Sequence, residues 1–78
     1  MELTLKYFGR IAELTGKTEE IRSAAVETVD ELDSVLRREY PGLSMATYSI
    51  AVDHEIVKPS FPLKSKVEVA LLPPFSGG

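Results

Sequence analysis

Val67-Glu68-Val69-Ala70-Leu71-Leu72-Pro73-Pro74-Phe75-Ser76-Gly77-Gly78 is the stretch from which the rest of this chain is read. Val67, Val69 and Leu71 alternate with Glu68, Ala70 and Leu72, the period-two pattern of a strand. The alternation puts either Leu71 or Leu72 towards a core. Pro73 and Pro74 then end the ladder, because neither has an N–H to donate and both favour an extended, polyproline-like exit. Residues 73–78, fully extended, reach roughly 20 Å. A diglycine carries no Cβ, so another protein can close around its backbone and reach a terminal carboxyl group. A frayed chain end is the bland alternative. A strand, a stiff proline pair and a bare diglycine in that order favour a presented tail.

Outward from this stretch, the other elements follow. Glu2 to Phe8 alternates as a strand, with Leu3, Leu5 and Tyr7 on one face and Thr4, Lys6 and Phe8 on the other. Gly9 breaks it, Arg10 to Thr15 fits a short helix, and Gly16 is suited to its C-terminal cap. Lys17 to Val26 is expected to return as a second strand. Thr28-Val29-Asp30-Glu31 is a capping box, with the Thr28 hydroxyl on the Glu31 N–H and the Glu31 carboxylate reaching back. Val29, Leu32, Val35 and Leu36 form one apolar stripe on the helix that follows. Tyr40-Pro41-Gly42 stops this helix. Its carboxylates, Glu31, Asp33 and Glu39, read as a solvated face. Leu43 and Met45 read as core fillers in the connecting segment. Tyr48 to Asp53 and Ile56 to Lys58 read as strands joined by a turn at Asp53-His54-Glu55. Phe61, Pro62 and Leu63 are placed over the open end of the core.

The 78 residues are enough for one domain and one modest core, with about 60–65% of the unfolded surface buried. Cysteine is absent, which excludes disulfides, thiolate metal sites and a persulfide on this chain. His54 is the single histidine and sits in a polar turn, so it reads as an exposed loop side chain and not a ligand or base. No metal site is expected. A net charge of −3 with no basic block argues against nucleic acid. No apolar run is long enough to span a bilayer and no signal-peptide layout is present, so a cytoplasmic location is expected.

The segment ALLPPFSGG (70–78) resembles the tail of the molybdopterin synthase small-subunit family, ubiquitin-like sulfur carriers of the β-grasp fold. LTLKYFGRIAELTG (3–16) resembles that family's first strand and short helix. The resemblance implies an α+β fold: a mixed four- to five-stranded sheet on one main helix, with residues 1–72 as the domain and residues 73–78 as a flexible tail. It also implies a function. The Gly78 carboxylate would be adenylated and then thiocarboxylated by partner enzymes, and Gly77, Ser76, Phe75, Pro74 and Pro73 would thread into a partner's active site. The thiocarboxylate would give its sulfur to a cyclic pyranopterin monophosphate in molybdenum cofactor synthesis.

Because the chain has no Gly-x-x-x-x-Gly-Lys-Ser/Thr loop, ATP would be consumed by a partner, and no cofactor is expected on this chain. The implied partners are the molybdopterin synthase large subunit, which would hold the active site, a ubiquitin-activating-type adenylating enzyme, and a sulfur donor of the cysteine desulfurase or rhodanese type. Phe8, Ile56 and Leu72 match interface positions of the family, although burial statistics allow Phe8 equally as a covered core residue. Lys64-Ser65-Lys66 stands where the family is commonly acidic. Three other roles remain open: a carrier for thiazole, cysteine or transfer-RNA thiolation; a ubiquitin-like modifier; and a β-grasp binding module with an inert tail.

Overall fold

Five strands joined by four pairings build the sheet in the computed structural model, which describes residues 1–74. Strand β1 (Glu2–Tyr7) pairs antiparallel with β2 (Glu19–Ser23) through the short helix α1 (Arg10–Thr15). Helix α2 (Val29–Glu39) and a 3-10 turn (Pro41–Leu43) lead into β3 (Ser49–Val52) and the short β4 (Glu55–Ile56). The last strand, β5 (Val67–Leu72), inserts between β1, to which it is parallel, and β3, to which it is antiparallel. The order β2-β1-β5-β3-β4 makes a mixed five-stranded sheet. With one helix across one face, this is the β-grasp arrangement. The C-terminal stretch therefore leaves from the centre of the sheet and not from an edge.

The register decides which residues meet. Leu3, Leu5 and Tyr7 point with Val69 and Leu71 towards α2, whose Val29, Leu32 and Leu36 close the core. Leu71 is fully buried, and Leu72, on the opposite face, is half-buried. The Thr28 hydroxyl accepts from the Glu31 N–H at 3.3 Å. Glu31, however, reaches the N–H of Glu27 at 2.9 Å, one residue before the cap. The first turn of α2 also donates Val29 N–H to the Phe61 carbonyl and Asp30 N–H to the Pro59 carbonyl, so the loop before β5 is tied to the helix start.

Several boundaries and placements differ from the expectation. The second strand is shorter than Lys17–Val26, and Val26 is buried beyond its end. Pairing with β4 begins at Glu55 and ends at Ile56. Met45 is not a core filler: it is 92% exposed, because the turn after α2 spends Leu43 on the core and swings the next residues outward. Leu63 is buried as expected, whereas Phe61 and Pro62 remain exposed. Asp33 and Glu39 are engaged and not simply solvated. Asp33 accepts from the Tyr48 hydroxyl and from Arg37 Nε at 3.0 Å, and Glu39 pairs with Arg22. Arg37 also donates to the carbonyls of Leu43 (2.6 Å) and Ala46 (3.1 Å), which pins the segment after the helix.

Lys66 adopts φ 67° just before β5, where a Cβ is strained, while its N–H donates to the Glu2 carbonyl at 2.6 Å. Lys66→Gly is expected to stabilise the domain by about 0.5–1 kcal/mol, read as a raised urea midpoint at unchanged slope.

A second cluster locks the β2 edge to the helix side. The Glu20 carboxylate accepts from the Tyr7 hydroxyl at 2.6 Å and the Tyr40 hydroxyl at 2.7 Å, with Arg22 Nε 3.6 Å away. Burial works against its charge, but the two tyrosine hydrogen bonds and the Arg22 and Lys17 charges outweigh it, so Glu20 titrates below the ordinary carboxylate range. Burial and the Glu20 contact push the Tyr7 hydroxyl far upward. A carboxylate whose folded pKa is depressed adds stability above its unfolded pKa and loses it as pH falls through the folded value. Urea midpoints from about pH 6 to about pH 3 should therefore fall more for the wild type than for Glu20→Gln.

Candidate functional site

Strand β5 carries the chain out of the sheet beside the end of β1. Tyr7 and Leu71 are register partners, and the Phe8 N–H donates to the Leu71 carbonyl at 3.2 Å. Gly9 follows at φ 53°, ψ −130°, a conformation open essentially only to glycine. A Cβ built there would lie 3.2 Å from Pro73 Cγ, so the missing side chain lets the β1–α1 corner sit close against the first proline. Pro73 is half-buried and Pro74 exposed. Phe75, Ser76, Gly77 and Gly78 lie outside the described residues, as does the expected flexibility of the tail.

Among the described residues, no helix lies over the face of the sheet opposite α2. Residues that alternate away from the core share this face: Phe8 beyond β1, Ala70 and Leu72 on β5, Ala51 on β3 and Ile56 on β4. They surround an open concavity of ≈ 390 Å³. Phe8 is 44% exposed and Ile56 60% exposed, so the reading of Phe8 as a covered core residue does not hold. The three residues matched by resemblance to interface positions, Phe8, Ile56 and Leu72, thus line one surface at the root of the tail.

Charge borders this apolar area on the side away from the tail. Lys6 Nζ lies 3.3 Å from Glu68 and 4.0 Å from Glu19, and His54 Nε2 lies 3.8 Å from the other Glu68 oxygen. The row crosses β2, β1, β5 and the β3–β4 turn. His54 is exposed, as its place in a polar turn implied. Asp53 and His54 take φ 47° and 74°, the left-handed pair of a two-residue hairpin usually met by Asn-Gly. The Asp53 carboxylate accepts from the Glu68 N–H at 3.0 Å, which anchors the turn to β5.

Sequence reasoning missed the alanine floor of the concavity and the charged row. Both were encoded in the alternation of β5, where Glu68, Ala70 and Leu72 fall on one face. Finding their partners needed the register with β1 and β3. Among the described residues, no group of three or more His, Cys, Asp or Glu is placed to hold a metal ion, and no helix is long and apolar enough to cross a membrane.

A family model described as the ThiS family matches residues 5–78. The chain is 38% identical over 77 residues to a Caenorhabditis briggsae protein named molybdopterin synthase sulfur carrier subunit, covering 92% of each. It is 32% identical over 83 residues to the Caenorhabditis elegans protein of the same name, covering 100% of this chain and 99% of the relative. Among solved structures, a putative molybdopterin converting factor subunit 1 from Pyrococcus furiosus matches with a TM-score of 0.89 at 22% identity, over 96% of this chain and 99% of the other. A chain from the Helicobacter pylori complex of subunits 1 and 2 of molybdopterin-converting factor matches at 0.73 and 26% identity, over the full length of both.

Proposed function

The chain belongs to the ThiS family, and on that premise we propose that it is a sulfur carrier that serves as the small subunit of a molybdopterin synthase. The observation that carries this reading is the 38% identity to a molybdopterin synthase sulfur carrier subunit over 92% of both chains. The family match that runs to Gly78 and the central-strand origin of the tail support it.

A carboxylate at neutral pH is a poor electrophile. The Gly78 carboxylate attacks the α-phosphorus of ATP on a ubiquitin-activating-type adenylating partner, pyrophosphate leaves, and an acyl-adenylate results. The terminal sulfur of a persulfide on a sulfur donor of the cysteine desulfurase or rhodanese type then displaces AMP to give an acyl disulfide. A second thiol on the partner side attacks the donor sulfur, which releases the thiocarboxylate on Gly78 and leaves a disulfide between that thiol and the donor. The charged tail enters the large subunit, where the active site lies, and delivers sulfur to a cyclic pyranopterin monophosphate. The carrier contributes the sulfur-bearing terminus and its aim, and no catalytic side chain of its own. Two sulfurs are needed per dithiolene, so the discharged carrier leaves and is recharged. An exposed apolar face of modest size suits such exchange better than a permanent interface.

Intact-mass spectrometry tests the reading. Protein incubated with the adenylating enzyme, ATP and a sulfur donor is expected to exchange one oxygen for sulfur at Gly78. Unchanged mass under those conditions, with an activating enzyme that charges a control carrier, would reject it. Recovery of a thiazole synthase instead of a pterin-synthase large subunit in a pull-down would move the same chemistry to another recipient.

A further inference from the structure

Strand β2 is one edge of the sheet, and among the described residues no strand lies beyond it. Its outer side follows from the bonds that bracket the β1–β2 ladder. The Tyr7 N–H donates to the Thr18 carbonyl at 2.9 Å, and the Ala24 N–H donates to the Met1 carbonyl at 2.9 Å. In an antiparallel pair, residues that exchange hydrogen bonds alternate with residues that do not. Thr18, Glu20, Arg22 and Ala24 therefore turn their backbone groups to β1, and Glu19, Ile21 and Ser23 turn theirs outward. Ile21 is 67% exposed and stands opposite Thr4, on the face of the sheet away from α2.

Outward N–H and C=O groups are a template for another strand, and the order of side chains selects which one. Set a second β2 antiparallel to the first, with Ile21 on the two-fold axis. Ile21 then meets Ile21, Glu19 meets Ser23, and Glu20 meets Arg22 on both sides of the axis. All of Glu19–Ser23 is paired. The smallest slip that keeps outward groups opposed is two residues. It sets Glu20 against Glu20 in one direction and Arg22 against Arg22 in the other, and like charges directly opposite are destabilising. Only the register centred on Ile21 matches charge and uses the whole strand.

We propose that β2 is a self-association edge, at which a second copy of this chain adds its own β2 antiparallel about Ile21. Two five-stranded sheets then become one. The same patch meets itself, as a two-fold interface requires. The two β5 strands lie five strand spacings apart, about 24 Å, and run in opposite directions, so the two tails leave from opposite ends. The axis stands normal to the sheet, which leaves the apolar area around Leu72 uncovered in both copies. This association stands apart from the sulfur-carrier reading, since it involves neither the tail nor the surface at its root. A five-residue ladder falls well short of the area of a stable interface, so the dimer is weak, with a dissociation constant of about 100 µM to 1 mM.

Sedimentation equilibrium of the full chain from about 10 µM to about 2 mM spans that range. The weight-average mass is expected to rise towards that of a dimer, and the amide resonances of Glu19, Ile21 and Ser23 to shift with concentration more than those of the other strands. Ile21→Lys and Ile21→Glu each set like charges against one another on the axis. Each is expected to weaken association at least about tenfold at a nearly unchanged melting temperature, because Ile21 lies outside the core. Mixing the two variants restores association, since opposite charges then meet. A wild-type chain that stays monomeric throughout overturns the proposal, as does an Ile21 variant that associates as well as the wild type. A mixture no better than its components, or concentration shifts centred on Phe8, Ile56 and Leu72, overturns it too. None of these results bears on whether Gly78 accepts sulfur.

Discussion

Deleting Gly77 and Gly78 is expected to lower sulfur delivery to the pterin by at least about a thousandfold, to the level of an assay without carrier, and to leave the melting temperature unchanged. On this chain, all of the proposed chemistry occurs at one carboxyl group. A shortened chain ends on Ser76, whose Cβ and hydroxyl obstruct a channel that a diglycine passes, and its carboxyl group falls two residues short of the reacting position. Positioning errors of about 1 Å already cost on the order of a hundredfold. Stability is indifferent because the last strand ends at Leu72, before the proline pair, and the buried core closes at Leu71. Mass spectrometry of the charging reaction and a differential scanning melt separate the two quantities. A truncated chain that still accepts sulfur at the wild-type rate would contradict the proposed role of the terminus.

Leu71→Ala should have the opposite signature. Leu71 is fully buried on the central strand, with β1 on one side and β3 on the other. Truncation there leaves a cavity in the middle of a small core and is expected to cost about 3 kcal/mol. A domain of this size holds only about 4–12 kcal/mol in total, so the melting temperature should fall by more than about 10 °C. The neighbouring Leu72→Ala should cost less than about 1 kcal/mol, since its side chain is half in water, and should instead weaken partner binding. Equal losses of stability in the two variants, measured by urea titration, would show that the face assignment along β5 is wrong. One residue of register separates the core side chain from the one proposed to dock.

The Glu20 cluster and the Arg37 contacts explain how so few residues hold the sheet to its helix. Glu20 accepts from two tyrosine hydroxyls and, through Arg22, is linked to Glu39 at the end of α2. Arg37 stacks 4.6 Å from the Tyr48 ring and binds the carbonyls beyond the helix. Burial, together with the Asp33 carboxylate, raises the Tyr48 hydroxyl's pKa well above the usual phenolic range, so it stays a donor at neutral pH. Neither cluster lies at the tail, and both secure the framework from which β5 emerges.

By itself, the sequence determined what depends on nearest neighbours along the chain. The Thr28 cap, the α2 stripe, the alternation of β1 and β5 and the break at Pro73-Pro74 are local patterns, legible without any fold. Tertiary structure alone decided which strands adjoin, and hence that β5 is central and that Leu71, not Leu72, is buried. It also brought Phe8, Ala51, Ile56, Ala70 and Leu72, far apart in the chain, around one concavity. Met45 and Asp33 were misjudged for the same reason. Whether a methionine faces water, or a helix carboxylate finds a tyrosine, is settled by what packs against it, and long-range pairing of that kind leaves no mark on the residues to either side.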